Sequence, residues 1–374
     1  MPPGRALTDI VADLWGRRVA FLPLDQRLSV RERGHIIDRA QPSFLVTPGD
    51  EILFAGGTPV ADEIGAVVAT SGTGGAPKLA ELPREGLRHA VLTGDVELRS
   101  SKGERWVACL PPSHVGGLLV LLRGIEAEHP LRVHEGFDAE LLVREIPTWA
   151  SVVPTMVGRL VDLDRPLTGL SLLVGGGPLT PELRDEVEAR GARIVTSYGL
   201  TETSGGVTYD GRPFAGIDVR VDHADRVEVR GRTVMSGYRH DPQATAEAFT
   251  LDGWLRTGDL GALGADGILE IHGRGDELIR SGSEKVWPDE VERVLALHPR
   301  VADVAVGGLP DPEWGEHVVA WVVADGVAPS LPELRQHCRG KLASFKAPKE
   351  LIIVDAIQRT PSDKIRRREL PRHE

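Results

Sequence analysis

The sequence predicts an α/β fold: a large N-terminal α/β domain with mostly parallel sheets and a small β-rich subdomain, followed by a small mobile C-terminal α+β domain. Three observations carry this. Between residues 60 and 200, short apolar runs alternate with longer amphipathic stretches, the pattern of strand and helix in turn. From about 213 to 273, glycine-punctuated β-like runs take over. After GRGDE (273–277) helix and strand signals resume over a length sufficient for a compact domain.

The elements follow in order. Strands are expected at 64–70, 106–110, 131–134, 151–153, 170–174 and 194–196, because each is a short run of apolar and β-branched residues. Helices are expected at 83–98 and 181–190, where apolar residues recur at helical spacing beside a charged face. The β-rich part has runs at 217–221, 227–230 and 267–272. The C-terminal part reads as helix 288–297, strands 301–306 and 318–323, helix 331–342 and strand 351–354. The boundary falls at the GRGDE segment, giving domains 1–274 and 275–374.

Composition narrows the function classes. The chain has 374 residues, enough for two domains, and 41% hydrophobic with 26% charged residues is ordinary for a globular protein. A net charge of −11 argues against a general nucleic-acid binder, which needs a basic face. Cys109 and Cys338 have neither metal-ligand spacing nor a disulfide framework and read as two reduced thiols. The N-terminus lacks a basic start followed by an apolar signal core, and no apolar run approaches the ~20 residues of a membrane span. The expectation is a cytoplasmic protein. The arginines at 366–368 read by default as a solvated surface face.

Chemistry concentrates in loops that follow strand ends, where α/β sheets bind ligands. TSGTGGAPK (70–78) combines hydroxyls, glycines and a lysine, the parts needed to hold polyphosphate. It is not the P-loop of nucleotide triphosphatases, which ends Gly-Lys-Ser/Thr; here Pro77 precedes Lys78 and Leu79 follows it. An ordinary turn is the alternative for such a cluster. SYGLTETSGG (197–206) offers a flat ring at Tyr198, a hydroxyl at Thr201 and a hard oxygen ligand at Glu202 suited to Mg²⁺. GWLRTGDLG (253–261) places Asp259 after a glycine; alone it would be a turn-capping residue, and near a nucleotide it can accept from both ribose hydroxyls. GRGDELIRSGSEKVWPDEVE (273–292) and RTPSDKIRRREL (359–370) complete the series, with PPSHVGG (111–117) and GGGP (175–178) as further strand-end loops.

Five motifs in this order resemble the adenylate-forming superfamily of acyl-CoA synthetases, peptide-synthetase adenylation domains and luciferases, over residues 64–370. The resemblance implies the roles that follow. Thr70, Ser71, Gly72, Thr73, Gly74 and Lys78 hold the β- and γ-phosphates of ATP. Gly175, Gly176 and Gly177 form one wall of the adenine slot, and Ser197, Tyr198 and Gly199 the other. Thr201 contacts the α-phosphate, Glu202 binds Mg²⁺, Asp259 takes the ribose hydroxyls and Arg274 reaches ribose or phosphate. Asp276 is the hinge and Lys364 the mobile lysine of adenylation. A lysine suits that step because carboxylate and α-phosphate are both anions, and a cation between them offsets their repulsion. Without the upstream motifs, Lys364 would read as an exposed lysine among arginines.

The chain departs from the family pattern at three places. Fewer than seventy residues precede the phosphate loop, Gly74 stands where a second Thr is usual, and Asp363 rather than Gly precedes the lysine. The run 197–221 is most similar to the o-succinylbenzoate–CoA ligases of menaquinone biosynthesis, which implies ATP, Mg²⁺ and CoA as co-reactants and a carboxylic acid as substrate. Candidate acid-site residues are His114, Gly116, Gly117, Thr203, Ser204 and Gly205, with Arg159 for a distal carboxylate. His114 could instead cap its turn, and Arg159 could be a solvated helix residue. Another acyl-CoA or aryl-CoA ligase, an enzyme that loads a carrier-protein thiol, and a catalytically degenerate nucleotide-binding module remain open alternatives. The family also implies a possible homodimer.

Overall fold

The computed structural model describes residues 5–47, 50–54, 56–70, 77–145, 149–282, 284–359 and 365–371. The chain forms two compact units. The first comprises Met1–Arg220, Glu228–Thr257 and Leu263–Leu269; the second comprises Val221–Val227, Gly258–Ala262 and Glu270–Glu374.

The first unit contains a seven-stranded sheet. Its parallel part runs, in spatial order, Arg193–Tyr198, Ser171–Val174, Trp149–Val152, Trp106–Ala108 and Leu131–Val133. Two short strands, Thr208–Tyr209 and Arg212–Pro213, add antiparallel at one edge. Ser171 stands opposite Arg193 and Trp149 opposite Ser171. The inner strands are buried along nearly their whole length, which is why they read as continuous apolar runs rather than alternating ones. Val107, Ala150, Leu172, Val157 and Leu160 form the core between sheet and helices. A fully buried leucine such as Leu172 contributes about 2 kcal/mol.

The strand order contains a reversal. From Trp106–Ala108 the chain passes through helix Val115–Glu126 to the outer strand Leu131–Val133. It then returns to lay Trp149–Val152 on the other side of Trp106–Ala108. In open α/β sheets such a reversal is where ligands bind, outside the carboxyl ends of the strands. The PPSHVGG loop and Val153–Pro154 lie at those ends.

One expectation needs correction. Ile64–Thr70 is not a member of the parallel sheet, and an unexpected strand, Lys78–Pro83, stands between its loop and the helix expected at 83–98. Ile64–Thr70 pairs antiparallel with Lys78–Pro83, Thr70 opposite Lys78, and Gly237–Tyr238 completes a three-stranded sheet. The helix begins only at Arg84. Leu79, Ala80 and Leu82 are buried in this sheet, so pairing and burial decide the conformation of a run too short to show a period.

The glycine-punctuated region forms strands Ile217–Val221, Arg226–Gly231, Leu255–Leu263 and Leu269–Arg274, adjacent in that order. In the second unit, Val301–Asp311 and Gly315–Ala324 pair as a long hairpin, and Glu350–Ile353 adds parallel. Ile279–Ser281 and Glu284–Val286, not anticipated from the sequence, pair with each other, and Ile279–Ser281 meets Gly315–Ala324 with Ser281 opposite Gly315. Helices Pro288–Ala296 and Leu331–Cys338 cover one face, with Val291, Leu295, Val306, Val318, Ala320 and Leu334 at the core. Among the described residues, no helix is long and apolar enough to cross a membrane.

Candidate active site

Lys78 opens the strand Lys78–Pro83, and Tyr238 lies beside it on the neighbouring strand, opposite Ala80. The Lys78 ammonium stands 4.8 Å from the centroid of the Tyr238 ring. The Tyr238 hydroxyl donates to Oε1 of Glu202 at 2.8 Å. A cation, a phenol and a carboxylate thus converge from three places in the sequence. Tyr238 was not anticipated: its strand has two residues and carries no periodic signal. Arg239, next in the chain, is buried and fixes this strand by donating to the carbonyls of Ala40 and Thr58 and to Glu81.

Glu202 sits in the 3-10 turn Thr201–Thr203, three residues beyond the parallel strand Arg193–Tyr198. Its carbonyl accepts from the Met235 N–H at 2.8 Å. Thr203 and Ser204 are fully buried, and their hydroxyls serve the turn itself. Thr203 Oγ1 accepts from the Leu200 N–H at 2.9 Å, and Ser204 Oγ donates to the Thr233 carbonyl at 2.8 Å. Both hydroxyls are thus engaged by backbone groups around the turn that presents Glu202. Gly205 packs on Leu119 and Val115 of helix Val115–Glu126, so it too is a packing position.

The glycines after strand Ser171–Val174 lie beside the ends of two neighbouring strands. Gly175 lies against Ser197, Gly176 against Val153 and Gly177 against Pro154. The Gly175 N–H donates to the Val152 carbonyl at 3.1 Å, which fixes the loop to the reversal point of the sheet. Tyr198 and Gly199 follow directly from Ser197, both half-buried. Asp210, outside the motif, holds this strand end by accepting from Thr196 N and Oγ1, each at 2.9 Å.

His114 precedes helix Val115–Glu126 as its N-cap residue, but its side chain makes no capping hydrogen bond. Its Nε2 lies 3.7 Å from Asp25, a buried carboxylate from the N-terminal segment. Burial pushes the Asp25 carboxyl up, but hydrogen bonds from the Arg27 side chain and backbone, with help from His114, hold it below the ordinary range. Gly116 is half-buried beside Leu110. Gly117 is a packing position instead, because a side chain there would meet the Pro111 carbonyl oxygen at 2.3 Å. Arg159 is exposed on helix Pro154–Val161. Cys109, at the end of the neighbouring strand, is buried, and burial pushes its thiol up to about 12, so it carries no thiolate chemistry.

In the second unit, Asp259 is buried and accepts from Arg274 Nη1 at 3.1 Å. Asp276 lies 3.6 Å from Arg274 Nε. Burial pulls the Arg274 guanidinium down, yet Asp259 and Asp276 outweigh it and leave it above its ordinary value. Ser71, Gly72, Thr73, Gly74 and Lys364 lie outside the described residues. Among the described residues, no cluster of three or more His, Cys, Asp or Glu side chains makes a metal cage. Mg²⁺ does not need one, since it keeps several waters and binds through one or two carboxylates plus substrate phosphates. Glu202 fits that requirement.

Parallel sheet, a glycine loop at a strand end, a lysine and a carboxylate gathered on one phenol, and an α+β unit define a nucleotide-dependent adenylate-forming class. Residues 55–239 match the AMP-binding enzyme family and residues 290–364 the AMP-binding enzyme C-terminal domain. The 2-succinylbenzoate–CoA ligase of Bacillus licheniformis is 31% identical, over 94% of this chain and 84% of that protein. The o-succinylbenzoate CoA synthetase of Bacillus subtilis, in complex with its acyl-adenylate intermediate OSB-AMP, superposes with a TM-score of 0.89 at 26% identity. That match covers 100% of this chain and 87% of the other. The same enzyme with ATP and magnesium ion matches with a TM-score of 0.79 at 26% identity, over 97% and 81%. The chain belongs to the AMP-binding enzyme family.

Proposed function

We propose that this protein is an ATP-dependent acid–CoA ligase that works through an acyl adenylate, with 2-succinylbenzoate as the acid, in menaquinone biosynthesis. The observation that carries the reading is the convergence of Lys78 and Glu202 on Tyr238, which sets a cation and a hard anion side by side as a magnesium–polyphosphate needs. The likeness to succinylbenzoate ligases supports the choice of acid.

In the first step a carboxylate oxygen attacks the α-phosphorus, the bond to the bridging oxygen breaks and pyrophosphate leaves. Mg²⁺, held by Glu202, neutralises polyphosphate charge when bound. Thr70, Lys78 and the 71–74 segment hold the β- and γ-phosphates, Gly175–Gly177 and Tyr198 hold the base, Thr201 the α-phosphate, and Asp259 with Arg274 the ribose. Lys364 reduces the repulsion between the two anions. In the second step the CoA sulfur attacks the acyl carbon and AMP leaves, after rotation about Asp276 has withdrawn Lys364. His114 and Gly116 contact the acid, with Arg159 for its ring carboxylate. The reading places the protein in the cytoplasm, as a homodimer.

The experiment is direct. Purified protein with ATP, Mg²⁺, CoA and 2-succinylbenzoate is expected to give AMP, pyrophosphate and a thioester. AMP from benzoate or a fatty acid but not from the diacid would remove the substrate and leave the class. Absence of acid-dependent pyrophosphate exchange with every acid would remove the class.

A further inference from the structure

Of the arginines at 366–368, Arg368 is exposed, but Arg367 is not part of a solvated face. Arg367 lies in the 3-10 turn Arg367–Glu369 with its side chain 15% exposed. Nη1 donates to Glu277 at 3.1 Å, Nη2 to Asp289 at 2.7 Å and to Glu292 at 2.9 Å, and Nε to the Val306 carbonyl at 3.1 Å. One guanidinium therefore joins the residue after hinge residue Asp276, the helix Pro288–Ala296 and the strand Val301–Asp311. Arg368 lies 3.5 Å from Asp276 itself.

Arg367 follows the motif lysine by three residues in the chain. Ile365 pairs antiparallel with Arg359, and the Arg366 N–H donates to the Gln358 carbonyl at 2.8 Å, so both flanks of 360–364 are fixed. Beyond the turn, Leu370 is buried with Trp321, Ile357 and Ile365, and Trp321 Nε1 donates to the Pro371 carbonyl at 2.7 Å. Apolar packing thus already anchors the far side of the turn. The arginine adds a rigid link to the hinge side, and the planar fork of a guanidinium can hold several carboxylates at fixed angles, as an ammonium cannot.

We infer that Arg367 is a positioning residue, which ties the segment following Lys364 to Glu277, Asp289 and Glu292 and so fixes the place from which that lysine is delivered. The inference rests on the proposed role of Lys364 in adenylation. Three carboxylates around one cation exceed what neutralisation requires, so the cluster is built for geometry as well as charge. Burial pushes Glu292 up to about 7 and Glu277 above its ordinary value, consistent with carboxyls crowded beyond their counter-charge.

The test uses the full chain, with Arg367→Lys as the main variant. Acid-dependent pyrophosphate exchange reads the first half-reaction, and thioester formation from supplied acyl adenylate reads the second. In Arg367→Lys the first is expected to fall by about tenfold or more in kcat, with KM for ATP and acid and the second half-reaction within about threefold. The amides of Ile365 and Arg366 are expected to exchange about tenfold faster. Equal loss in both half-reactions, or no loss, overturns the inference, as does unchanged amide exchange. Should Arg367→Lys not fold, the charge-compensated pair Arg367→Gln with Glu292→Gln decides by the same readouts. Failure of both to fold assigns Arg367 to stability alone and overturns its positioning role. A wild-type protein inactive with every acid sinks the proposed function, whereas amide exchange still judges the clamp.

Discussion

The phenol of Tyr238 donates to Glu202 at 2.8 Å, and the ring that carries it lies under the Lys78 ammonium. One side chain thus orients the proposed metal ligand and faces the proposed phosphate holder. Tyr238→Phe keeps the ring and removes only the hydrogen bond to Glu202. A hydrogen bond to a charged group is worth about 1.5–3 kcal/mol, so the first half-reaction is expected to slow by roughly tenfold or more. The magnesium concentration for half-maximal rate should rise. Pyrophosphate release titrated with Mg²⁺ checks this; a changed rate with an unchanged magnesium requirement would detach Tyr238 from the metal ligand.

Asp259 and Arg274 depend on a glycine. Gly258 has φ +78°, a region that disfavours other residues, and a side chain there would come 2.8 Å from Arg274 Nη2. The guanidinium can swing away, but doing so takes it off Asp259. Gly258→Ala should therefore cost about 1 kcal/mol of stability from backbone strain. Its larger effect should be a rise of roughly tenfold or more in KM for ATP, what loss of one charged hydrogen bond gives. Calorimetry and initial rates separate the two; a stability loss without a KM change would show that the Asp259–Arg274 pair does not serve the nucleotide.

Lys364→Ala should split the reaction. Adenylation needs a cation between two anions; attack of the thiol on the finished adenylate does not. The variant is expected to lose about a hundredfold or more in pyrophosphate exchange while thioester formation from supplied adenylate stays within a few-fold. Equal losses in both assays would end the assignment of this lysine to the first step.

Much of this site was legible because glycine-rich loops at strand ends have few structural uses besides turning the chain or admitting a ligand. Gly175–Gly177, Lys78 and Glu202 stood out for that reason. The parallel strands were legible as short apolar runs, since burial on both faces leaves no polar alternation to blur them. What failed to show were relations between distant positions. The order reversal around Trp106–Ala108 leaves no local mark. Lys78–Pro83 was missed because its conformation comes from pairing with Ile64–Thr70. The carboxylate partners of Arg367 lie 75 to 90 residues away, so a run of arginines read as a solvated face. That the hydroxyls of Thr203 and Ser204 are spent on backbone groups did not show either, because a sequence does not reveal which hydroxyls the backbone has already claimed.

The carboxylates around Arg367 predict a pH dependence with a definite sign. Glu292 ordinarily titrates near 4.5; burial raises it in the folded protein to about 7, with Arg367 opposing and Asp289 and Glu277 adding repulsion. Between these values the folded state holds a proton that the unfolded chain has released. Stability from this group is therefore fully present below about pH 4.5 and is lost as pH rises through about 7. The span corresponds to at most about 3 kcal/mol. Glu292→Gln supplies a permanently neutral group and leaves Arg367 with Glu277 and Asp289. The melting temperature of the variant relative to wild type should therefore climb between about pH 5 and pH 8. Calorimetric profiles of the two proteins test this. A difference that stays flat across the range would show that Glu292 is ionised throughout, its charge already balanced by the guanidinium.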